Sequence, residues 1–553
     1  MHTFHMEPIF KPKLCSVLSE GYTKNTFIQD LFSGIIVGIV ALPLAIAFAV
    51  ASGVSPEKGI ITAIIAGFII SFLGGSRVQI GGPTGAFIVI VFGIIQEFGI
   101  NGLIISTIMA GILLILFGLL KLGTLLKFIP HPLIVGFTSG IALVIFSTQI
   151  KDALGMNIEN IPTNFLPKWS MYFHSLHLIN PYALGITIST ICIAIFSKHI
   201  TRKIPGSFIA IILITIIVQF TNLPVETIES VFGAIPQNIS FQAPEIDFSE
   251  LHMYFTPAIT IALLGGIESL LSAVVADGML GTKHRSNTEL IAQGIANIIT
   301  PFFGGIPATG AIARTATNIK NGGRTPLAGI IHAVVLLIIM LFVAQWATLI
   351  PMSCLAGILI VVAYNMSEWR SFVSIFKSSP FDIFILLTTF FLTILVDLSV
   401  AIQVGVVLSS LLFMKRMSNV SNKIEKTIDK DVIENYSHVP KEIGIYEISG
   451  PFFFGSAKQY CNLIETIGIR SHVLIIRMRH VPFIDATGIY NVRSVINNLK
   501  AHGIIVIMSG VNSSVYEELE KNNIISLIGS EHVLSSFDKA LSEARKIISN
   551  INN

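Results

Sequence analysis

From Asp30 to about Met417 the chain is a near-continuous series of long apolar stretches separated by short polar turns. That feature limits the possible folds most. A bilayer span needs about 20 predominantly apolar residues, and its backbone must satisfy its own hydrogen bonds, so such stretches become membrane helices. Only 12% of the 553 residues are charged and 52% are hydrophobic, whereas soluble globular proteins carry about 25% charged residues. From about Ser418 the composition becomes that of an ordinary soluble domain. The expected organisation is a cytoplasmic N-terminal segment over 1–28, a transmembrane domain over 29–417, a linker over 418–440 and a small cytoplasmic domain over 441–553. Met1 to Asn25 is polar and irregular and carries no signal-peptide pattern, so insertion is expected through the first span itself.

Apolar segments begin near Leu31, Lys58, Pro83, Gly102, Phe128, Tyr182, Pro205, Phe255, Leu290, Ala308, Pro326, Ile350, Phe381 and Val400. These make about fourteen, some too short to cross alone. An even number puts both termini on one side. Lys11, Lys13, Lys24, Arg77, Lys121, Lys127, Lys198, Arg202, Lys203, Lys283, Arg285, Lys320, Arg324, Arg370, Lys377, Lys415 and Arg416 fall on that side. The other side holds chiefly Lys58, Lys151 and Lys168 and an acidic loop with Glu226, Glu229, Glu245, Asp247 and Glu250. Cationic loops mark the cytoplasm, so the expectation is a multi-pass protein of the inner (plasma) membrane with both termini cytoplasmic.

A net charge of +3 and the lack of a basic, aromatic-interleaved patch argue against nucleic-acid binding. Cys15, Cys192, Cys354 and Cys461 have no metal-like spacing and read as buried bystander thiols, so no metal site is expected. No GxxxxGK[ST] loop is present, which argues against nucleotide drive, and no cofactor is expected beyond a coupling ion.

Two stretches echo each other: Gly81-Gly-Pro-Thr-Gly-Ala86 and Gly304-Gly-Ile-Pro-Ala-Thr-Gly-Ala311. Each puts paired glycines and a proline before a short apolar segment, third in its own run of about seven spans. An odd run means the second half enters from the opposite face. Matching interrupted segments in two inverted halves point to a transporter binding site. Half-helices are expected to start at Thr84 and near Thr309, each exposing unpaired N–H groups and about half a positive elementary charge. Between such ends lies a site for an anion.

Charges within the spans are few, and each costs about 2.5–3.5 kcal/mol at the bilayer centre on insertion scales. Glu268 lies inside Ile261-Ala-Leu-Leu-Gly-Gly-Ile-Glu-Ser-Leu-Leu-Ser272, with Ser272 one turn later on the same face. Glu268 is the candidate coupling residue: it could carry a proton, or hold sodium in an oxygen cluster with Ser272. Arg314, just past the second half-helix start, would add a full positive charge to the two helix ends. Asp277, Asp382 and Asp397 sit near span ends and read as interface or packing charges.

With these motifs in view, the chain resembles the SulP/SLC26 family of anion transporters. The resemblance rests on Ala41-Leu-Pro-Leu-Ala-Ile-Ala47, Gly81 to Ala86, Glu268-Ser-Leu-Leu-Ser-Ala-Val-Val-Ala-Asp277 with Asn287-Thr-Glu-Leu-Ile-Ala-Gln-Gly294, and Ala308-Thr-Gly-Ala-Ile-Ala-Arg-Thr315. It implies an α-helical polytopic membrane protein of fourteen segments in 7+7 inverted repeats with two half-helices, divided into a core and a gate. The implied anion pocket includes Ala45, Gly85, Ala86, Phe87, Thr309, Gly310, Ala311, Ile312, Ala313 and Arg314. The implied ion-coupling position is Glu268, and glutamate there favours protons over sodium. Ala313 stands where many animal relatives have serine, so substrate identity cannot be carried over. A homodimer is also implied.

In the tail, Ile443–Ile448, Val473–Arg477 and Ile504–Met508 read as strands, and Ser456–Ile467, Thr487–Ala501, Ser514–Asn522 and Ser535–Ile548 as amphipathic helices. Alternation of this kind indicates a small α/β domain. It resembles a STAS domain through Gly450-Pro-Phe-Phe-Phe-Gly-Ser456 and Ile484-Asp-Ala-Thr-Gly488. In related domains the hydroxyl at the Thr487 position is phosphorylated; the plainer expectation is that Asp485 and Thr487 cap a helix. The tail's expected role is folding, dimerisation or regulation through a cytoplasmic partner. The leading functional expectation is secondary active symport of sulfate, bicarbonate or a dicarboxylate, with an uncoupled channel or exchanger, or a membrane-tethered signalling protein, as the alternatives.

Overall fold

The computed structural model describes residues 10–124, 130–158, 161–162, 164–197, 206–233, 240–241, 251–396, 398–424 and 439–552. Lys127, Lys198, Arg202, Lys203, Glu245, Asp247, Glu250 and Asp397 lie outside them. The chain separates into two compact units, Met1–Val407 and Leu408–Asn553.

In the first unit a short helix α1 (Lys13–Glu20) precedes α2 (Lys24–Ala51) and α3 (Pro56–Leu73). A two-residue strand β1 (Gly81–Gly82) leads into α4 (Phe87–Leu119). The chain continues through α5 (His131–Leu154), α6 (Phe165–His174), α7 (Pro181–Phe196), α8 (Gly206–Thr221) and α9 (Ile228–Phe232). The second half runs through α10 (Phe255–Leu280), α11 (Ser286–Ile299), strand β2 (Thr309–Gly310), α12 (Ile312–Lys320) and α13 (Leu327–Ala347). It continues with α14 (Met352–Met366), α15 (Trp369–Ile375) and α16 (Pro380–Leu395) to α17 (Leu398–Ile424), within which the first unit ends. Six helices among the described residues are long and apolar enough to cross a membrane, and shorter apolar helices include Pro181–Phe196, Gly206–Thr221 and Pro380–Leu395. Gly99, at φ 69° and ψ −172°, breaks α4 into two arms. These arms are the separate segments anticipated from Pro83 and Gly102.

The helices form two bundles. One packs α2, α3 and α13 together with α4, α10, α11 and α12; the other packs α5, α7, α8, α14 and α16, and the two meet chiefly along α2. Small residues let helix backbones approach closely. A Cβ at Gly111 would lie 2.6 Å from the Gly294 carbonyl oxygen, and one at Gly294 would lie 2.5 Å from that of Gly111. The α4–α11 contact, the most extensive in the unit, therefore depends on the missing side chains at both positions.

The echoing stretches are joined directly. β1 pairs antiparallel with β2, with Gly81 opposite Gly310 and Gly82 opposite Thr309. Antiparallel pairing sends the chain into α4 and α12 in opposite directions from a shared crossing, the arrangement expected of inverted halves. The starts are corrected: the half-helices begin at Phe87 and Ile312, not at Thr84 and Thr309. The physical reason is that Thr309 is held extended in the strand pair, while Gly85–Ala86 form a turn.

The second unit holds a four-stranded parallel sheet, β3 (Ile443–Ser449), β4 (Val473–His480), β5 (Ile505–Ser509) and β6 (Val533–Leu534), in that order. Its helices are α18 (Ala457–Gly468), α19 (Ala486–Ala501), α20 (Ser513–Lys521), α21 (Ile524–Ile528) and α22 (Phe537–Asn552). Leu474 and Ile476 face α18 and α19 in one core, while Val473 and Ile475 face Ala540 and Ala544 of α22 in another. Coverage of both faces explains the unbroken apolar run in β4. Strand β6 and helix α21 were not anticipated, being too short to show a period.

Candidate functional site

Polar side chains from neighbouring helices fix the crossing. Asn297 on α11 accepts from Ala308 N at 2.9 Å and donates to Ala308 O at 2.8 Å. Thr62 Oγ1 on α3 accepts from Ile306 N at 2.7 Å, and Thr315 Oγ1 on α12 accepts from Ile80 N at 3.0 Å. Ala311 N donates to Ile80 O at 2.8 Å, extending the ribbon by one bond. Non-helical backbone within a membrane persists where such partners replace the helical ladder. No side chain caps the start of α4 or of α12; at α4 the Phe87 and Ile88 N–H groups donate back to the Thr84 and Gly85 carbonyls at 3.2 and 3.1 Å.

The structure separates the anticipated pocket residues. Ala86 and Phe87 are buried at the α4 start, and a side chain at Gly265 of α10 would meet Phe87 Cζ at 3.3 Å. Ala45 is fully buried, with α3 crossing its carbonyl at Gly59. Phe48, one turn further along α2, approaches Gly85, where a Cβ would lie 3.6 Å from its ring. Thr309 turns its hydroxyl onto the Gly265 carbonyl at 2.7 Å, while its backbone pairs with Gly82 in the ribbon. Gly310 packs under Gln79, Ala311 is buried, and the Ile312 and Ala313 side chains are exposed. Arg314 is 2% exposed and donates from Nη2 to the Pro83 carbonyl, while Nη1 packs beside Gly82. Gly82 has φ +147°, and no side chain would fit against that guanidinium. Arg314 thus ties the second half's helix to the first half's stretch and brings its charge to the crossing.

Glu268 accepts from Thr84 Oγ1 at 2.9 Å. This contact links α10 to the β1–α4 stretch and joins two residues the sequence had placed in different features. The anticipated Glu268–Ser272 oxygen pair is corrected: Ser272, fully buried, donates to Thr315 Oγ1 at 3.2 Å, because that face of α10 packs against α12. Sequence reasoning missed a fully buried glutamate. Glu289 on α11 accepts from Gly75 N (2.8 Å), Ser76 N (3.0 Å), Gln293 Nε2 (2.9 Å) and Ser269 Oγ (3.3 Å). All of these partners are donors, which satisfies a carboxylate at both oxygens. Asp30 is likewise buried and occupied, accepting from Tyr22, Arg324 N and Thr325. Glu268 is only partly exposed, and among the described residues its one side-chain bond is from Thr84, fewer than Glu289 or Asp30 receives. No local pattern signals the missed glutamate: the N-cap of α11 is Arg285, and the Glu289 partners at Gly75 and Ser76 are more than 200 residues away in sequence.

In the second unit Asp485 caps α19, accepting from Gly488 N at 2.7 Å and from Phe454 N at 3.0 Å. Thr487 is exposed on the first turn, so helix capping falls to Asp485 alone. The cysteine expectation is corrected in part: Cys354 and Cys461 are buried, whereas Cys15 and Cys192 are exposed.

Comparison with known proteins agrees with this architecture. Residues 27–389 match the sulfate permease family and residues 435–540 match the STAS domain. The putative sulfate transporter YvdB of Bacillus subtilis is 42% identical, covering 94% of this chain and 98% of that protein. The bicarbonate transporter BicA of Picosynechococcus is 30% identical over 93% of this chain and 94% of its own length. A solved structure of SLC26A9, 18% identical, superposes with a TM-score of 0.85 over 97% of this chain and 93% of that one. The transmembrane domain of BicA, 31% identical, gives 0.62 over 69% and 98%. The chain belongs to the sulfate permease family: it is a multi-pass membrane transporter of anions, not an enzyme, with a C-terminal STAS domain.

Proposed function

We propose that the protein is a secondary active transporter that moves a small oxyanion such as sulfate, bicarbonate or a dicarboxylate together with a proton or sodium ion. It would act in the plasma membrane with both termini cytoplasmic. The observation that carries this reading is the β1–β2 crossing, where two uncapped helix starts and the buried Arg314 guanidinium supply positive potential. Helix N-termini bind anions through their free N–H groups and about half a unit of charge. Glu268, bonded to Thr84 next to the α4 start, sits where occupancy by a cation and by an anion can reinforce each other. The two bundles, meeting chiefly along α2, are suited to alternating access. The relatives' printed names, sulfate and bicarbonate transporter, support this substrate class.

Reconstitution into liposomes with a panel of labelled anions tests the reading. The expected result is uptake of an oxyanion that accumulates above the external concentration when an inward proton or sodium gradient is imposed. Uptake that only equilibrates, whatever the gradient, would establish the uncoupled channel or exchanger instead. A STAS-mediated homodimer or regulatory partner belongs to the same reading, as does a signalling role for Thr487.

A further inference from the structure

The Gly85 end of the crossing is faced from the opposite bundle by Met366. A Cβ at Gly85 would stand 2.8 Å from Met366 Sδ. Met366 is the last residue of α14, which packs on α5 and α7, whereas Gly85 and Phe48 belong to the bundle carrying the crossing. The contact therefore spans the divide between the bundles at the foot of the first half-helix.

Two further features define the turn behind it. Ser139 Oγ on α5 donates to the Ser367 carbonyl, fastening the end of α14 to its own bundle. Glu368 adopts φ 43° and ψ 36°, a left-handed conformation that residues with a Cβ keep only where their surroundings hold them. Beside the turn runs an open apolar groove of about 420 Å³ bounded by Ser139, Ala363, Tyr364, Ser367, Trp369 and Phe372. The turn is thus anchored at one point and has space beside it. A methionine side chain is unbranched, polarizable and adaptable, and its thioether offers an anion no hydrogen-bond donor.

We propose that Met366 is the gate-side wall of the anion seat, held over Gly85 by the Ser367–Glu368 turn, and that its thioether must swing aside for an anion to enter or leave. This rests on the crossing being the anion seat. Because the side chain excludes anions without binding them, its size sets the rate of passage and the discrimination between small and large anions.

The test compares Met366→Ala and Met366→Trp in proteoliposomes, each checked for a single monodisperse peak and an unchanged melting temperature. The expected result is a kcat raised severalfold in the alanine variant, with KM within about twofold and a reduced preference for small over large anions; the tryptophan variant loses about tenfold or more in kcat. A second measurement places Met366→Cys in a chain also carrying Cys15→Ser and Cys192→Ser, which removes the exposed thiols. A methanethiosulfonate reagent should inactivate this chain, and saturating transported anion should slow the inactivation. Wild-type kcat and selectivity in both size variants, or labelling that leaves uptake unchanged, overturns the gate. A wild-type chain that moves no anion overturns the seat itself, so the two failures are distinguishable.

Discussion

Replacing Glu268 by glutamine separates coupling from folding. Thr84 Oγ1 donates to Glu268 Oε2 at 2.9 Å, and a glutamine carbonyl oxygen can accept the same bond. Hydrogen bonds to charged groups contribute about 1.5–3 kcal/mol and neutral ones about 0.5–1.5, so the exchange costs about 1 kcal/mol. The fold should survive a loss of that size. The functional effect should be far larger. A gradient of one pH unit, or a tenfold sodium gradient, supplies about 1.4 kcal/mol per coupled cation, which sustains about tenfold accumulation of the anion. The assay is the plateau ratio of labelled anion inside and outside proteoliposomes as the gradient is varied. Wild-type plateaus should rise with the gradient, and Glu268→Gln plateaus should stay near unity while exchange continues. A glutamine variant that still concentrates its anion in proportion to the gradient would refute the assignment, since an amide takes up no proton in this range and holds a sodium ion without the carboxylate's charge.

Glu289→Ala removes the acceptor for Gly75 N and Ser76 N, each costing about 1–3 kcal/mol when left buried and unpaired, so detergent-solubilised protein should melt measurably earlier or fail to accumulate. In the soluble unit, Asp485→Ala should cost about 1–2 kcal/mol by loss of the α19 cap, whereas Thr487→Ala should change stability by less than about 0.5 kcal/mol; chemical denaturation of both variants checks the contrast. Burial, followed by the nearby Glu465 carboxylate, pushes the Cys461 thiol up to about 12, so thiolate is scarce below that pH. Alkylation between pH 7 and 9 should therefore label the exposed Cys15 and spare Cys461, as mass spectrometry of the peptides would show.

The span pattern was legible because membrane helices leave long apolar runs, and even the α4 break appeared as separate starts at Pro83 and Gly102. The two interrupted stretches were legible because glycine and proline are the residues that tolerate non-helical backbone at depth. Their pairing was not, since a two-residue ribbon has no period, and the half-helix starts moved by about three residues for that reason. Thr309 shows a second limit: a hydroxyl in a motif does not reveal that it bonds the Gly265 carbonyl. Ser272 shows a third, because a shared helix face with Glu268 did not disclose that α12 competes for it. Phe48 and Met366, which approach Gly85 from two different helices, come together only through tertiary packing.

The stitch between β1 and β2 is made of peptide groups, and what it requires of side chains is confined to the glycines at 81, 82 and 310 and the bonds from Asn297, Thr62 and Thr315, not to the residues that face the Gly85 end. Chemical variation in the surrounding shell can therefore retune which solute is admitted while the two helix origins stay fixed relative to each other. A carrier organised this way would travel as a rigid cradle, with its selectivity rewritten from the walls it slides along.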